Sequence, residues 1–365
     1  MDAARREDRF QRVRDALGRD GAAWLLLPPS ADFRWLAGVM PRSSERLFAL
    51  AVPRDGAPFC IVPRLEAGAL AAECPWLERI VWDDHEDPLE RLASRLELES
   101  HPALLLGEGF RVGQVLRVAS ATACRPAADV VAPLRAVKDA GEIGSLEAAA
   151  RHADQIVEQA ADHMRPGMSE RELERFVLQR FDALGDSAPW AIVASGPNSA
   201  HPHHVSSERR LSEGDVVILD VGAYTDGYGS DITRTYWLGE PPAEAERVYD
   251  IVDRARATGI ESCRSDVTAA TVDQATRAVI EAAGYGEYFT HRTGHGVGLE
   301  IHEPPYIVAG NREPLRTGMV HSVEPGIYLP GRFGVRIEDL VVVAPGGARA
   351  LNHAPRDPQP LRTRA

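Results

Sequence analysis

Four carboxylates sit in two short, strand-like stretches of this sequence, and their placement poses an electrostatic problem. Asp220 and Asp231 lie in VVILDVGAYTDGYGSDITRTYW, whose arms, Val216 to Leu219 and Ile232 to Tyr236, are rich in β-branched and aromatic residues, as strands are. A turn centred on Thr225 and Asp226, with Gly227 and Gly229 in the loop, predicts a hairpin in which Asp220 directly faces Asp231. A second stretch, VHSVEPGIYLPGRFGVRIEDLVVV, repeats the pattern: Glu324 and Glu338 are symmetric about Gly331, with Pro325 interrupting one arm. Like charges facing across a sheet repel, by roughly 1 to 4 kcal/mol for a pair at about 4 Å, depending on the local dielectric. Such a cluster needs a shared proton or a divalent cation. The stretch between the hairpins, HRTGHGVGLEIHEPP, favours the cation, because it brings His291, His295 and His302 among glycines. Carboxylates with imidazole and no thiolate make an oxygen-rich set suited to Mn²⁺, Co²⁺, Fe²⁺ or Zn²⁺, and four negative charges balance two dications. Two such ions generate hydroxide from water near neutral pH and polarise a carbonyl, so the implied chemistry is hydrolysis, with an amide as the natural substrate.

Taken singly, each of these residues has an ordinary role: a turn-flanking aspartate, a core or surface histidine, a solvent-facing glutamate. Two symmetric acid pairs around a Gly-His-Gly stretch are what carry the chemistry. GHGVG could mimic a nucleotide loop, but it has neither a Walker lysine nor GxGxxG spacing.

The elements that must position these groups fall into two parts. Helical periodicity over 5–19 is followed by a buried-strand run at 22–27, stopped by Pro28-Pro29. Apolar runs at 47–52 and 59–62 flank Pro53-Arg54-Asp55-Gly56 as a hairpin, and a helix over 88–98 and a strand over 103–106 complete a small α/β unit. RPAADVVAPLRAVKDAGE, at 125–142, then mixes proline, alanine and charge before a long helical pattern, which places a domain boundary within that stretch. Beyond it, helices over about 139–164, 168–184, 242–259 and 266–283 interleave with strand pairs, and every chemical motif lies between 190 and 345.

Composition narrows the partners. The 365 residues carry 41 basic and 54 acidic side chains, a net charge of −13, which excludes nucleic acid or an anionic membrane as the main partner. No run approaches the roughly 18 apolar residues of a membrane span, and the charged N-terminus has no signal-peptide core. Cys60, Cys74, Cys124 and Cys263 are scattered without a CxxC pair, as in reduced, cytoplasmic proteins.

The motifs SGPNSAHPHH, ILDVGAYTDGYGSDITRT, HRTGHGVGLEIHEPPYI, VEPGIY and GVRIEDLVVV resemble, in order and spacing, those of the pita-bread metallopeptidases, specifically prolidase and aminopeptidase P. LRAVKDAGEI resembles the start of their catalytic domain, and the first 130 residues fit their creatinase-like N-terminal domain. The resemblance implies an α/β creatinase-like domain over 1–133 and an α+β pita-bread catalytic domain over 134–365. It implies two divalent ions, with Mn²⁺ foremost and Co²⁺ or Zn²⁺ compatible, held by Asp220, Asp231, His295, Glu324 and Glu338. In that pattern Asp220 chelates one ion, Asp231 and Glu338 bridge both, and His295 with Glu324 completes the second; Glu324 is also the general base. His203 and His302 would contact substrate or the tetrahedral species, and His291 would be a further substrate-side histidine. Tyr328 and Arg336 would support the carboxylates, and Arg46, in a loop with Arg42, would reach a neighbouring subunit's site as a clamp for the substrate carboxylate. His204 departs from the family's usual glycine, and His321 from its usual apolar residue; His321 and His201 read as surface or supporting histidines.

The implied activity is cleavage of the Xaa-Pro bond in dipeptides or short peptides by a homodimer, with prolidase ahead of aminopeptidase P. A pocket shaped for the proline ring can select a tertiary amide without needing its absent N–H. Methionyl aminopeptidase in its usual form has no such N-terminal domain, creatinase needs no metal, and a non-catalytic binding module would have no reason to keep five ligands.

Overall fold

The computed structural model describes residues 2–96 and 104–359. The chain divides into two compact units, Met1–Arg135 and Ala136–Ala365.

In the N-terminal unit the strands are β1 (Trp24–Leu27), β2 (Ala49–Pro53), β3 (Phe59–Pro63), β4 (Glu78–Trp82), β5 (Leu104–Leu106) and β6 (Cys124–Pro126). They form one mixed sheet in the order β4-β3-β2-β1-β5-β6. The predicted hairpin is β2-β3, paired antiparallel with Ala49 opposite Ile61. Its uninterrupted apolar runs are those of strands covered on both faces. Leu26, Ala51, Phe59 and Ile61 pack there with Leu92 and Leu96 of the helix Pro88–Leu96. Positions 97, 98 and 103 of the expected helix and strand lie outside the described residues.

The second unit opens with the helix Ala140–His163, which starts where Asp139 and Glu142 cap each other's backbone N–H groups. Glu170–Leu184 begins in the same way at Ser169 and Glu172. Ala243–Ser262 and Ala269–Ala282 are the other two long helices. The strands are β7 (Ser187–Ser195), β8 (Val216–Thr225), β9 (Tyr228–Gly229), β10 (Ile232–Trp237), β11 (Gly294–Gly296), β12 (Glu303–Ile307), β13 (Val320–Val323), β14 (Gly326–Leu329), β15 (Phe333–Arg336), β16 (Asp339–Ala344) and β17 (Gly347–Ala350). One sheet runs β10-β8-β7, a second runs β12-β11-β13-β16-β17, and β14-β15 is a separate ribbon. Among the described residues no helix is long and apolar enough to cross a membrane.

Alternation along β8 decides which residues reach the chemistry. Val217, Leu219 and Val221 pack with Ile156, Val157, Val177 and Phe181 of the first two helices. Asp220, between them in sequence, therefore points to the opposite face.

The first hairpin differs from expectation by two residues. Asp226 and Gly227, both at positive φ (50° and 83°), form the turn, so Thr225 pairs with Tyr228 and Asp220 with Thr233. A two-residue turn matching strand twist needs positive φ at both central positions, which Asp-Gly supplies and β-branched Thr225 does not. Asp231 thus lies diagonally from Asp220 rather than across from it. An offset of two preserves the face, so both carboxylates still point the same way.

The second hairpin has the expected register, with Gly326 opposite Arg336 and, beyond a gap, Val323 opposite Asp339. Glu324 and Glu338 fall in that gap, beside Pro325. Their own N–H groups bond sideways, Glu324 to the Thr293 carbonyl (2.8 Å) and Glu338 to the Thr233 carbonyl (3.0 Å). The break in one ladder thus ties to the backbone of both neighbouring segments and gathers the acids in one place.

Candidate metal centre

A cavity of about 710 Å³ within the second unit is lined by Asp220, Asp231, His295, Glu324 and Glu338. Oxygens of Asp231 and Glu338 and a nitrogen of His295 lie within 4.8 Å of one another. His295 Nε2 is 3.2 Å from Glu324 Oε1 and 3.7 Å from Asp231 Oδ2. Its Nδ1 faces the Gly296 carbonyl at 3.2 Å, which assigns the proton to Nδ1 and leaves the Nε2 lone pair aimed at the acids. Placing that ring requires glycine on both sides: a Cβ on Gly294 would meet the Ser322 carbonyl oxygen at 2.0 Å, and one on Gly296 the Pro304 oxygen at 2.3 Å.

The electrostatics are those of an unbalanced cluster. Burial, then the nearby Glu338, Asp220 and Glu324 charges, push the Asp231 carboxyl well above its ordinary range. Burial and the Glu324 and Asp220 charges do the same to Glu338. Asp220 is raised by burial and Glu324, against the pull of Arg336. Glu324 goes the other way: burial pushes it up, but His295, His291 and Arg336 outweigh that and hold it at about 2. Thr233 donates to Glu338 Oε2 at 2.8 Å, and Arg336 donates to Asp220 Oδ2. The remaining oxygens, Asp220 Oδ1 and Glu338 Oε1, are buried with no hydrogen-bond partner. A buried carboxylate oxygen without a donor costs free energy unless a cation takes it up. Orphaned oxygens, surplus negative charge and an imidazole lone pair converging on one cavity fit divalent cations.

His203, His291, His302 and Arg336 also line the cavity. His302 packs edge-on against His295, with ring centroids 4.1 Å apart, and burial, His295 and Arg292 lower its pKa to about 4. Tyr328 lies behind the wall, its hydroxyl 2.8 Å from His291 Nε2 and 3.0 Å from Arg336 Nη1. Arg46 belongs to the N-terminal unit, where it forms a two-pronged pair with Asp84 (2.8 and 2.9 Å) and a contact with Glu45. His204 bonds to the buried Glu170 carboxylate at 2.7 Å, and Ser195, Asn198 and Ser207 donate to the same group. That carboxylate anchors the segment carrying His203. His321 is fully buried, with Nδ1 on the Ser322 carbonyl and Nε2 3.7 Å from Cys263 Sγ, so it is a core histidine rather than a surface one.

Sequence reasoning passed over Thr233, Glu170 and the cavity-lining Arg292, Trp190 and Ile301. The alternation of β10, which puts Thr233 on the face of Asp231, was the available signal for the first. Glu170 gave none, because its partners are spread over 195–207.

Residues 144–345 match the model of metallopeptidase family M24, and residues 9–137 that of the creatinase/prolidase N-terminal domain. The chain is 41% identical over 344 residues to the probable dipeptidase PepE of Mycobacterium tuberculosis, covering 92% of each. Its fold superposes on the crystal structure of dipeptidase PepE from Mycobacterium ulcerans with a TM-score of 0.93 at 39% identity, and on recombinant prolidase from Thermococcus sibiricus with 0.91 at 38%, each covering 98% of both chains. The creatinase-like and pita-bread architecture implied by the motifs is the architecture observed. With both domains matched along nearly the whole chain, this protein belongs to metallopeptidase family M24.

Proposed function

We propose that this chain is a dinuclear-metal Xaa-Pro dipeptidase that holds its ions through Asp220, Asp231, His295, Glu324 and Glu338. One observation carries the reading: all five side chains converge on one cavity, where Asp220 and Glu338 each keep a buried oxygen without a donor. Bound there, a pair of divalent ions would supply a nucleophilic hydroxide near neutral pH and polarise the scissile carbonyl. The oxygen-rich donor set favours Mn²⁺ over softer ions.

The chain's own groups divide the remaining work. Glu324, ionised throughout the working range, takes the proton of the attacking water and returns it to the leaving prolyl nitrogen. His302, neutral at pH 7, offers an N–H to the developing oxyanion, and His203 lines the same cavity. His291 is kept in place by Tyr328, and Arg336 fixes Asp220. Trp190, Ile192 and Ile301 give the cavity an apolar wall that suits a proline ring. The unpaired cysteines accord with a cytoplasmic enzyme, and the family resemblance with a homodimer.

The test is a product assay on Xaa-Pro, Xaa-Pro-Yaa and Xaa-Ala substrates with Mn²⁺ added, alongside metal analysis. Cleavage of Xaa-Pro that is abolished by chelation, with about two ions bound per chain, supports the reading. Exclusive cleavage of Xaa-Pro-Yaa would make the enzyme an aminopeptidase instead, and a protein that binds no metal and cleaves nothing would end the proposal.

A further inference from the structure

The loop between β11 and β12 carries Ile301 and His302 into the cavity. Among the described residues no hydrogen bond holds the His302 ring; it meets the His295 ring edge-on, so its place is set by the backbone that bears it. That backbone is tied at three points. Gly229 donates to the Gly298 carbonyl (2.8 Å), and the Tyr224 hydroxyl accepts from the Ile301 N–H (3.2 Å), both from the hairpin that carries Asp220 and Asp231. The third tie comes from far away in sequence: Lys138 Nζ reaches Glu303 Oε1 at 2.7 Å, with only 2% and 3% of the two side chains exposed. We propose that Lys138 is a positioning residue, which through Glu303 fixes the place of His302 against the scissile bond; the proposal rests on the Xaa-Pro reading above, in which His302 meets the developing oxyanion.

Both ends of this pair are held firmly. The Lys138 N–H donates to the Gly318 carbonyl (2.9 Å), Val137 bridges to Met319 just ahead of β13, and Nζ also donates to the Ala136 carbonyl (3.1 Å). Gly318, at a φ of 90°, lets the two segments come this close, since a Cβ there would meet the Lys138 carbonyl oxygen at 2.8 Å. At the other end Glu303 pairs with Gly296, next to His295, and its carboxylate accepts from the Glu300 N–H (3.3 Å). The loop folds over that carboxylate so closely that a Cβ on Gly298 would stand 2.5 Å from Glu303 Oε1. Stability alone does not call for charge here: a buried ion pair loses hydration at both ends, and an apolar pair of similar volume is commonly as stable or more so. What the ion pair adds is position. Two apolar side chains tolerate a small slide of the loop, whereas here the same slide draws a buried cation away from a buried anion.

The experiment compares wild type with K138M and K138M/E303L, each as the full chain. K138M leaves Glu303 without that cation and should melt lower, whereas the double variant should melt within about 4 °C of wild type and keep its Mn²⁺-induced stabilisation. Even so, kcat of the double variant on Ala-Pro should fall roughly 10- to 100-fold with KM within about three-fold of wild type, as misplacement of a group that acts on the transition state gives. In an H302A background the same double substitution should cost less than about two-fold, because the pair acts through His302. A stable double variant with wild-type kcat overturns the proposal, as does an equal loss in both backgrounds. If the double variant does not fold, E303Q decides, since it removes the charge while keeping the shape and an acceptor, and an unchanged kcat counts against Lys138. A wild type that cleaves no Xaa-Pro substrate refutes the earlier reading; amide hydrogen exchange over residues 298–303 then decides the tether, with faster exchange in the variant that folds supporting it and equal exchange overturning it.

Discussion

Replacing Asp231 with Asn removes one charge from the acid cluster while keeping its shape, and the consequence should reverse sign with metal. Donor atoms of Asp231 and Glu338 lie within 4.8 Å of each other. At that separation two unit charges repel by about 1 kcal/mol in water and about 3.5 kcal/mol at an effective dielectric of about 20. The metal-free protein relieves part of this by holding a proton, which costs about 1.4 kcal/mol for each unit by which the carboxyl pKa is raised. Asp231→Asn avoids both costs, so without metal the variant should be more stable than wild type by about 1–3 kcal/mol, or a rise in Tm of roughly 3–10 °C for a unit of this size. With Mn²⁺ the order inverts. Wild type should gain about 2.7 kcal/mol at a free ion concentration of about 100 Kd, while the variant, without one of the proposed ligand carboxylates, gains under about 1 kcal/mol. The assay is thermal unfolding of both proteins in chelator and in Mn²⁺. If the variant melts at or below wild type in chelator, or if both gain equally from Mn²⁺, the reasoning from charge repulsion fails.

The same cluster sets a pH dependence. Asp231 and Glu338 have carboxyls raised above their unfolded values of about 4, so the metal-free fold binds more protons than the unfolded chain, and their contribution is lost as pH climbs from about 4 through the folded values. Glu324, lowered to about 2, contributes in the opposite sense, present above about pH 4 and lost as pH falls towards 2. Denaturant titrations of metal-free protein should therefore show stability declining as pH rises above about 4, and Mn²⁺ should flatten that decline. Arg336→Met leaves Asp220 buried without its cation and should cost about 3–5 kcal/mol in metal-free protein, read as a fall in the urea midpoint. Gly294→Ala forces a Cβ to 2.0 Å from the Ser322 backbone and should displace His295, costing more than about 3 kcal/mol and abolishing Mn²⁺-induced stabilisation in the same melting assay.

How legible the site was in the sequence depended on what fixed each register. The Glu324–Glu338 ribbon could be read because its turn is symmetric about Gly331 and one constant pairing runs through both ladders despite Pro325. The Asp220–Asp231 hairpin was misread by two residues, since the demand for positive φ at Asp226 and Gly227 outweighs the apparent symmetry of the arms. The grouping of acids survived because side chains alternate with period two. In the N-terminal unit, β4 reads Glu-Arg-Ile-Val-Trp and β6 only Cys-Arg-Pro, too polar or too short to stand out before the neighbouring strands are known. Buried charge was likewise invisible: Arg234 and Arg256 share Asp339 in the core, and partners 105 and 83 positions apart leave no local pattern.

The amides of Glu324 and Glu338 grip main-chain carbonyls of Thr293 and Thr233. Both donor positions are therefore indexed by peptide geometry rather than by the volumes of surrounding side chains. Exchange of one aliphatic residue for another nearby can reshape the wall of the cleft, and with it the preferred peptide, while the carboxylates of the candidate metal centre keep their spacing. Selectivity and chemistry in this enzyme are thus free to diverge independently.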